Sequence, residues 1–128
     1  MTRYLLDATF LIDRLRGDRA AHERFQALME AGDEPLVCDV AAAEVWAGWR
    51  PDVESALELS LRYLEFVQPG PETSRLSGIW RAQARQRGRT LHIADALIAA
   101  SAFHLEAIVL TRNVRDFSLF AGVEVETY

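Results

Sequence analysis

Four acidic residues that are far apart in the sequence stand in settings suited to metal binding. Asp7 ends a short apolar run, and Glu44 lies between apolar neighbours. Asp95 lies near the start of a segment rich in small residues, and Asp116 lies just beyond a second apolar run. Carboxylates that crowd together raise one another's pKa values, and a divalent cation removes that conflict. Because Mg²⁺ is held by carboxylates, waters and substrate phosphates, the pattern predicts a magnesium-type site.

Each of these acids, taken alone, also fits a structural role. Asp7 is a favoured residue type for the N-cap of a following helix. Asp95 in the first turn of a helix would interact favourably with the helix dipole. Glu44 would fit a solvated position on a helix, and Asp116 would suit the surface or a helix cap. The metal interpretation therefore depends on the acids meeting at one place.

Other catalytic chemistries lack the residues they need. The one cysteine, Cys38, and the three histidines show no metal-ligand spacing, so a zinc site is not expected. No Ser–His or Cys–His pair suggests a protein nucleophile. All 14 basic residues are arginine, and the absence of lysine argues against aspartyl-phosphate domains, which rely on a lysine near the phosphate.

The acids can meet only if the elements around them form a suitable sheet. Apolar patterns predict strands at Arg3–Leu6, Leu36–Cys38, Ala107–Leu110 and Val123–Val125, with a minor strand at Phe66–Val67. Helical spacing predicts helices over Phe10–Arg16, Ala20–Ala31, Val40–Trp49, Val53–Leu64, Glu72–Arg87 and Ile93–Leu105, and a short helical turn over Val114–Phe120. This alternation favours an α/β fold, a parallel sheet with helices on both faces. Ligands of such sheets bind beyond the carboxyl ends of the strands, which is where Asp7 lies.

The composition is that of one ordinary globular domain over residues 1–128. The net charge of −5 argues against general coating of nucleic acid, but not against an enzyme with clustered carboxylates and a local basic rim. A single cysteine allows no intrachain disulfide, and no apolar run reaches the roughly 18 residues of a membrane-spanning helix. We expect a soluble, cytoplasmic protein.

Four segments together resemble the motifs of PIN domains, especially of VapC-type toxins. Leu5–Asp13 is similar to the opening motif, and Ala43–Gly48 is similar to the second, in which a Glu is followed four residues later by Gly. Asp95–Ala102 is similar to the third motif and Leu110–Phe117 to the fourth. The order and spacing match, and the resemblance spans nearly the whole chain.

This resemblance implies a PIN-like fold, a short parallel sheet sandwiched between helices. It also implies an Mg²⁺- or Mn²⁺-dependent endoribonuclease, usually the toxin of a type II toxin–antitoxin pair. The implied partners are an RNA substrate, a VapB-type antitoxin and a second copy of the chain in a homodimer. Asp7, Glu44 and Asp95 match the family's acidic positions, and for the fourth we take Asp116, with Asn113 as a polar assistant.

The chain departs from the family pattern at two positions. Ala8 stands where relatives commonly have Thr, and Asn113 stands where many have Asp. We expect Thr9 to supply the hydroxyl that steadies Asp7. The departures leave one alternative open, a catalytically weak PIN scaffold that binds RNA or a protein partner without cutting.

Polar residues near the motifs are expected to contact the substrate. Thr9 and Thr111 are small donors able to orient a carboxylate or a phosphate, and Asn113 lies near Thr111 in the sequence. Arg112 and Arg115 flank the fourth motif and could grip the RNA backbone through charge-assisted hydrogen bonds.

The resemblance also implies a groove that takes the antitoxin, formed by helices of the N-terminal half. Aromatic and large apolar residues are the usual anchors of such grooves. Phe10, Leu11, Trp46 and Trp49 are the expected anchors here.

Overall fold

A five-stranded sheet forms the centre of the structure, a computed structural model that describes residues 1–128. Its strands in chain order are β1 (Arg3–Leu6), β2 (Glu34–Cys38), β3 (Glu65–Val67), β4 (Ile108–Leu110) and β5 (Val125–Glu126). Their spatial order is β3-β2-β1-β4-β5, and every neighbouring pair is parallel. The predicted parallel sheet is confirmed, and the first strand of the chain lies in its middle.

Seven helices connect these strands. They are α1 (Ala8–Leu15), α2 (Arg19–Glu30), α3 (Asp39–Trp46), α4 (Glu54–Leu61), α5 (Pro71–Gln86), α6 (Ile93–Leu105) and α7 (Val114–Phe117). Every predicted helix is present, with ends that differ by at most three residues. None of them is long and apolar enough to cross a membrane.

Three helices end three residues earlier than predicted because tight turns continue their apolar faces. After α4, the Leu64 N–H donates to the Leu61 carbonyl, and after α7 the Phe120 N–H donates to that of Phe117. Leu64 and Phe120 are both buried. A turn with such bonds keeps the side chain on the face of the preceding helix, so the apolar spacing continues past the helix. The same kind of bond joins Trp49 to Trp46 after α3.

Helix α6 packs closely in the core because its buried residues are small. Ala96, Ala99 and Ala102 are fully shielded from solvent. The helix contacts β1 and β4 of the sheet as well as α3 and α5, and small side chains shorten the distance between packed elements. Since Asp95 lies in the first turn of α6, this packing fixes the position of that carboxylate.

We predict that Ala99→Leu lowers the free energy of unfolding by about 1–3 kcal/mol, because a close-packed interior has no room for the larger side chain. Urea unfolding followed by circular dichroism measures the change. The matched control is Ala27→Leu at an exposed position of α2, which should change stability by less than about 0.5 kcal/mol. Equal stability of A99L and the parent protein would contradict the tight packing of α6.

Candidate active site

The register of two central strands places Asp7 beside Thr111. Leu6 of β1 pairs with Leu110 of β4, so the next residue of each strand emerges at the same carboxyl edge of the sheet. Both residues are shielded from solvent, since Asp7 is 3% exposed and Thr111 is 0% exposed. A charged group buried this deeply requires hydrogen-bond partners.

Two threonine hydroxyls donate to one oxygen of the Asp7 carboxylate. The Oγ1 atoms of Thr111 and Thr9 lie 2.7 Å and 2.9 Å from Asp7 Oδ2. Asp7 occupies the N-cap position of α1, yet its side chain makes no capping bond. Asp7 therefore does not have the helix-capping role that the sequence also allowed. The other oxygen, Oδ1, accepts no hydrogen bond within the chain and keeps contact with solvent. It is therefore available to a cation or a water.

The same hydroxyls tie the segment after β4 to Asp7. Thr111 Oγ1 accepts a hydrogen bond from the Asn113 N–H at 2.9 Å, and Thr9 Oγ1 accepts one from the Arg112 N–H at 3.2 Å. Each hydroxyl thus donates to the carboxylate and accepts from the backbone. The prediction that the Thr9 hydroxyl steadies Asp7 is confirmed, whereas Asn113 takes part through its backbone.

Glu44, Asp95 and Asp116 lie within electrostatic reach of this edge. Glu44 lies on α3, Asp95 on α6 and Asp116 on α7. Partial burial raises the pKa of Asp95, the charges of Asp7 and Asp116 raise it further, and His92 opposes the rise. Partial burial also raises the pKa of Glu44, together with the charges of Asp7 and Asp95. The structure therefore brings the four predicted acids into one electrostatic cluster.

This cluster fits a hydrated hard cation. Its donors are carboxylate oxygens, which suit Mg²⁺ and Mn²⁺. No three acidic, histidine or cysteine side chains stand close enough together to ligate one ion directly, but Mg²⁺ commonly takes one or two direct carboxylate ligands and keeps several waters. The free Oδ1 of Asp7 offers one such ligand. Positive charge there would relieve the repulsion that raises the pKa values of Glu44 and Asp95.

The Arg112 guanidinium, an expected RNA contact, is held by other residues. It lies 2.8 Å from Asp13 and 3.3 Å from Asp18, and it stands over the Tyr128 ring at 4.8 Å from the centroid. An RNA contact by this side chain requires these bonds to break. Arg115, the second expected contact, is exposed and makes no ion pair.

Sequence reasoning missed Tyr128 and Asp13, which complete the Arg112 network. The Tyr128 hydroxyl donates to Asp13 Oδ2, and burial raises the pKa of Tyr128 to about 12, so the hydroxyl keeps its proton. The Tyr128 ring packs edge-on against Phe10, with 4.9 Å between ring centroids. A sequence signal existed for Asp13 alone, since it lies one helical turn beyond Thr9 and so on the same side of α1.

A cleft lined by residues of α1, α3 and α4 runs past Glu44. Its volume is about 350 Å³. Its apolar walls include Ile12, Leu15, Val45, Val53 and Leu57. This cleft lies on the helices for which the resemblance implies an antitoxin groove.

The expected antitoxin anchors are placed differently from the prediction. Phe10 and Leu11 are fully buried core residues, so the prediction is wrong for both, because the apolar face of α1 that carries them packs into the core. Trp46 is partly buried and also packs against the core. Trp49 is half-exposed, and its Nε1 donates to Glu54 at 3.2 Å, so only Trp49 presents a large surface to a partner.

Comparisons with known proteins agree with this architecture. A family model described as the PIN domain matches residues 4–123. Ribonuclease VapC19 of Mycobacterium tuberculosis is 31% identical over 120 residues, which cover 94% of this chain and 96% of that protein.

Solved structures of toxin–antitoxin complexes contain chains with the same fold. A VapBC2 chain from Rickettsia felis, bound to a promoter DNA fragment, has a TM-score of 0.88 at 19% identity, over 99% of both chains. A chain of a Klebsiella pneumoniae toxin–antitoxin complex has a TM-score of 0.75 at 26% identity, over 94% of both. The predicted fold, a short parallel sheet between helices, is confirmed.

We predict that Thr111→Val lowers the free energy of unfolding by about 1.5–3 kcal/mol, the range for hydrogen bonds to charged groups. Valine keeps the shape of threonine, but the buried Asp7 carboxylate loses a donor. Urea titration at neutral pH measures the change, with Thr127→Val at an exposed position as the control, neutral to within about 0.5 kcal/mol. If T111V unfolds at the same urea concentration as the parent, Asp7 does not depend on this bond.

Asp95→Asn is expected to raise the Tm of the metal-free protein by about 1–4 °C, because solvent screening keeps the repulsion of this partly exposed carboxylate below about 1 kcal/mol. A carboxyl whose pKa is raised by folding contributes stability below its unfolded pKa, and that contribution is lost as the pH rises through the folded pKa. The gain in Tm should therefore shrink as the pH falls toward 3.8, the ordinary pKa of an aspartate.

Calorimetry in EDTA, from neutral pH down to the ordinary pKa of an aspartate, measures the Tm of both proteins. Glu58→Gln, at an exposed position of α4, is the control and should leave the Tm unchanged. A lower Tm for D95N at neutral pH would mean that the favourable interaction of Asp95 with the helix dipole outweighs its repulsion by the other acids.

Proposed function

Because the chain belongs to the PIN-domain family, we propose that it is a VapC-type endoribonuclease, the toxin of a type II toxin–antitoxin pair. The 31% identity to a ribonuclease over 94% of the chain supports this activity. The observation that carries the proposal is the buried Asp7 carboxylate at the carboxyl edge of the sheet, whose charge acts on both Glu44 and Asp95. The three acids come from elements that are remote in the sequence.

The proposed cofactor is Mg²⁺ or Mn²⁺, held by Asp7, Glu44, Asp95 and Asp116. When bound, such a cation activates a water and stabilises the negative charge that develops on the scissile phosphate. Asp7 would contribute Oδ1, because both threonine hydroxyls bond to Oδ2. Glu44, Asp95 and Asp116 would bind directly or through water.

The protein side chains orient the reacting groups and move the proton. Thr9 and Thr111 hold the Asp7 carboxylate in one orientation. The proton of the attacking water passes to a carboxylate oxygen of Glu44 or Asp116, both of which are exposed to solvent. Arg115 makes no ion pair, so its guanidinium is free to donate to a phosphate oxygen.

The two departures from the family pattern leave the proposed machinery in place. The Thr9 hydroxyl reaches the Asp7 carboxylate although position 8 is alanine. Asn113 donates its backbone N–H to Thr111, and the negative charge at the fourth position comes from Asp116, which acts on Asp95. These contacts favour the nuclease over the non-cleaving scaffold.

The proposed protein partner is a VapB-type antitoxin that occupies the cleft between α1, α3 and α4. Structurally similar chains were solved in VapBC complexes. The cleft is apolar along Ile12 and Leu57, and Glu44, Arg16 and Arg50 also line it. An antitoxin segment with apolar anchors and side chains of both charges, including an arginine for Glu44, would therefore fit it and cover Glu44. We also expect a homodimer, as the family resemblance implies, and a cytoplasmic location.

We predict that Asp7→Asn and Asp95→Asn each reduce RNA cleavage by about 100-fold or more, because each removes a charge that holds the cation. Cleavage of total cellular RNA, followed on gels with Mg²⁺ or Mn²⁺ present, measures the loss. EDTA should stop cleavage by the unmodified protein, and added Mn²⁺ should restore it. Glu58→Gln is the control and should cleave at the parent rate.

The variants must keep their circular dichroism spectra for the comparison to hold. Cleavage by D7N and D95N at the parent rate would refute the assignment of the site. Carboxylate-dependent Mn²⁺ binding without cleavage of any RNA would support the scaffold instead.

A further inference from the structure

The basic residues of the chain are unevenly distributed. Residues 73–94 hold five of the 14 arginines and no Asp or Glu, although the whole chain has a net charge of −5. These are Arg75, Arg81, Arg85, Arg87 and Arg89. None of them takes part in any of the ion pairs of the structure, which all involve other arginines. The segment is therefore an uncompensated positive region.

A cavity of about 510 Å³ lies where this segment turns from α5 toward α6. Its lining includes Trp80, Gln83, Arg87 and Arg89, and we call these four residues and the space they border the basic pocket. Such a volume is typical of sites for small ligands. Its wall combines two guanidinium groups, an amide and an indole.

The basic pocket adjoins the acidic cluster. Leu91, Leu119 and Phe120 line it and also line a smaller cleft that contains Asp95 and Asp116. A ligand that spans both spaces would therefore place one part against the arginines and the next part at the carboxylates.

Specific contacts fix the shape of the basic pocket. The Arg81 guanidinium donates to the Leu91 carbonyl at 3.0 Å, and the Arg89 N–H donates to the Ala84 carbonyl at 2.8 Å. Between them Gly88 adopts a φ of +75°, which other residues rarely adopt. The Trp80 ring packs against Phe120, with 5.0 Å between centroids. The pocket is thus built by the fold and does not depend on exposed side chains alone.

We propose that the basic pocket is the subsite for the nucleotide next to the scissile phosphate of the RNA, an inference that rests on the proposed nuclease function. Arg87 and Arg89 bind the flanking phosphates, and Trp80 and Gln83 contact the unpaired base by stacking and hydrogen bonding. RNA binding here requires a nearby positive surface, because the carboxylate cluster repels the RNA backbone. A basic wall beside it supplies the attraction that brings a phosphate to the acids.

The test compares two double variants that remove the same charge. Arg87→Ala/Arg89→Ala removes the basic pocket arginines, and Arg62→Ala/Arg75→Ala removes two exposed, unpaired arginines outside it. Cleavage of total cellular RNA gives kcat and KM for each. The first double should raise KM about 10-fold or more with kcat within about 3-fold of the parent, because it removes binding that the ground state and the transition state share. The control should change KM less than about 3-fold.

A second readout measures binding without cleavage. In the Asp7→Asn background, fluorescence anisotropy follows a random single-stranded RNA oligonucleotide across salt concentrations. Loss of two phosphate contacts should lower the slope of log affinity against log salt by about 1.4. The control double should keep the parent slope.

Three outcomes would overturn the subsite. The first is an unchanged KM in the Arg87/Arg89 double variant. The second is an equal effect of both double variants, which would mean that net charge alone determines RNA binding. The third is an altered oligomeric state in light scattering with an unchanged RNA affinity. In each case cleavage by the parent protein leaves the nuclease proposal standing. Absence of cleavage by the parent protein would refute both proposals.

Discussion

A buried carboxylate and its two hydroxyl donors are the interaction on which the site depends. An ionised group removed from water is unfavourable unless hydrogen bonds replace its hydration. Asp7 obtains them from Thr9 and Thr111, and the bond from Thr111 forms because β1 and β4 are adjacent and in register. The central place of β1 in the sheet therefore has a chemical consequence. It brings the end of one strand, the start of α1 and the segment after β4 to a single oxygen atom.

The remaining acids act against the stability that the core supplies. Burial and mutual repulsion raise the pKa values of Glu44 and Asp95, which means that folding without a cation opposes their ionisation. The close packing of α6 around Ala96 and Ala99 holds Asp95 in place despite this repulsion. Sites that bind or react commonly destabilise the proteins that carry them. Here Glu44 and Asp95 lie on packed helices, which hold the two carboxylates in place despite their repulsion.

The sequence predicted most of the fold, because strands and helices leave different apolar spacings in it. It also placed Asp7 correctly at the carboxyl end of β1, where ligands of parallel sheets bind, while the roles of the four acids in a metal site stay a prediction. It failed where long-range packing decides the outcome. Phe10 and Leu11 have an apolar spacing that suits either a groove or a core, and only the packed structure shows that they are core. The partners of Arg112 could not be foreseen either, because Tyr128 and Asp18 reach it from distant parts of the chain.

Net charge is a poor guide to what this surface attracts, because charges in salt solution act over about 8–10 Å. A phosphate near the basic pocket experiences Arg87 and Arg89 more strongly than the distant acids that make the chain acidic overall. The acidic cluster beside it repels the same phosphate until a cation is bound, so cation and RNA should bind cooperatively. Segregated charge would thus reconcile an acidic protein with the proposed RNA substrate. In this proposal the arginines attract the RNA backbone, and the carboxylates stop repelling it once a cation has neutralised their charge.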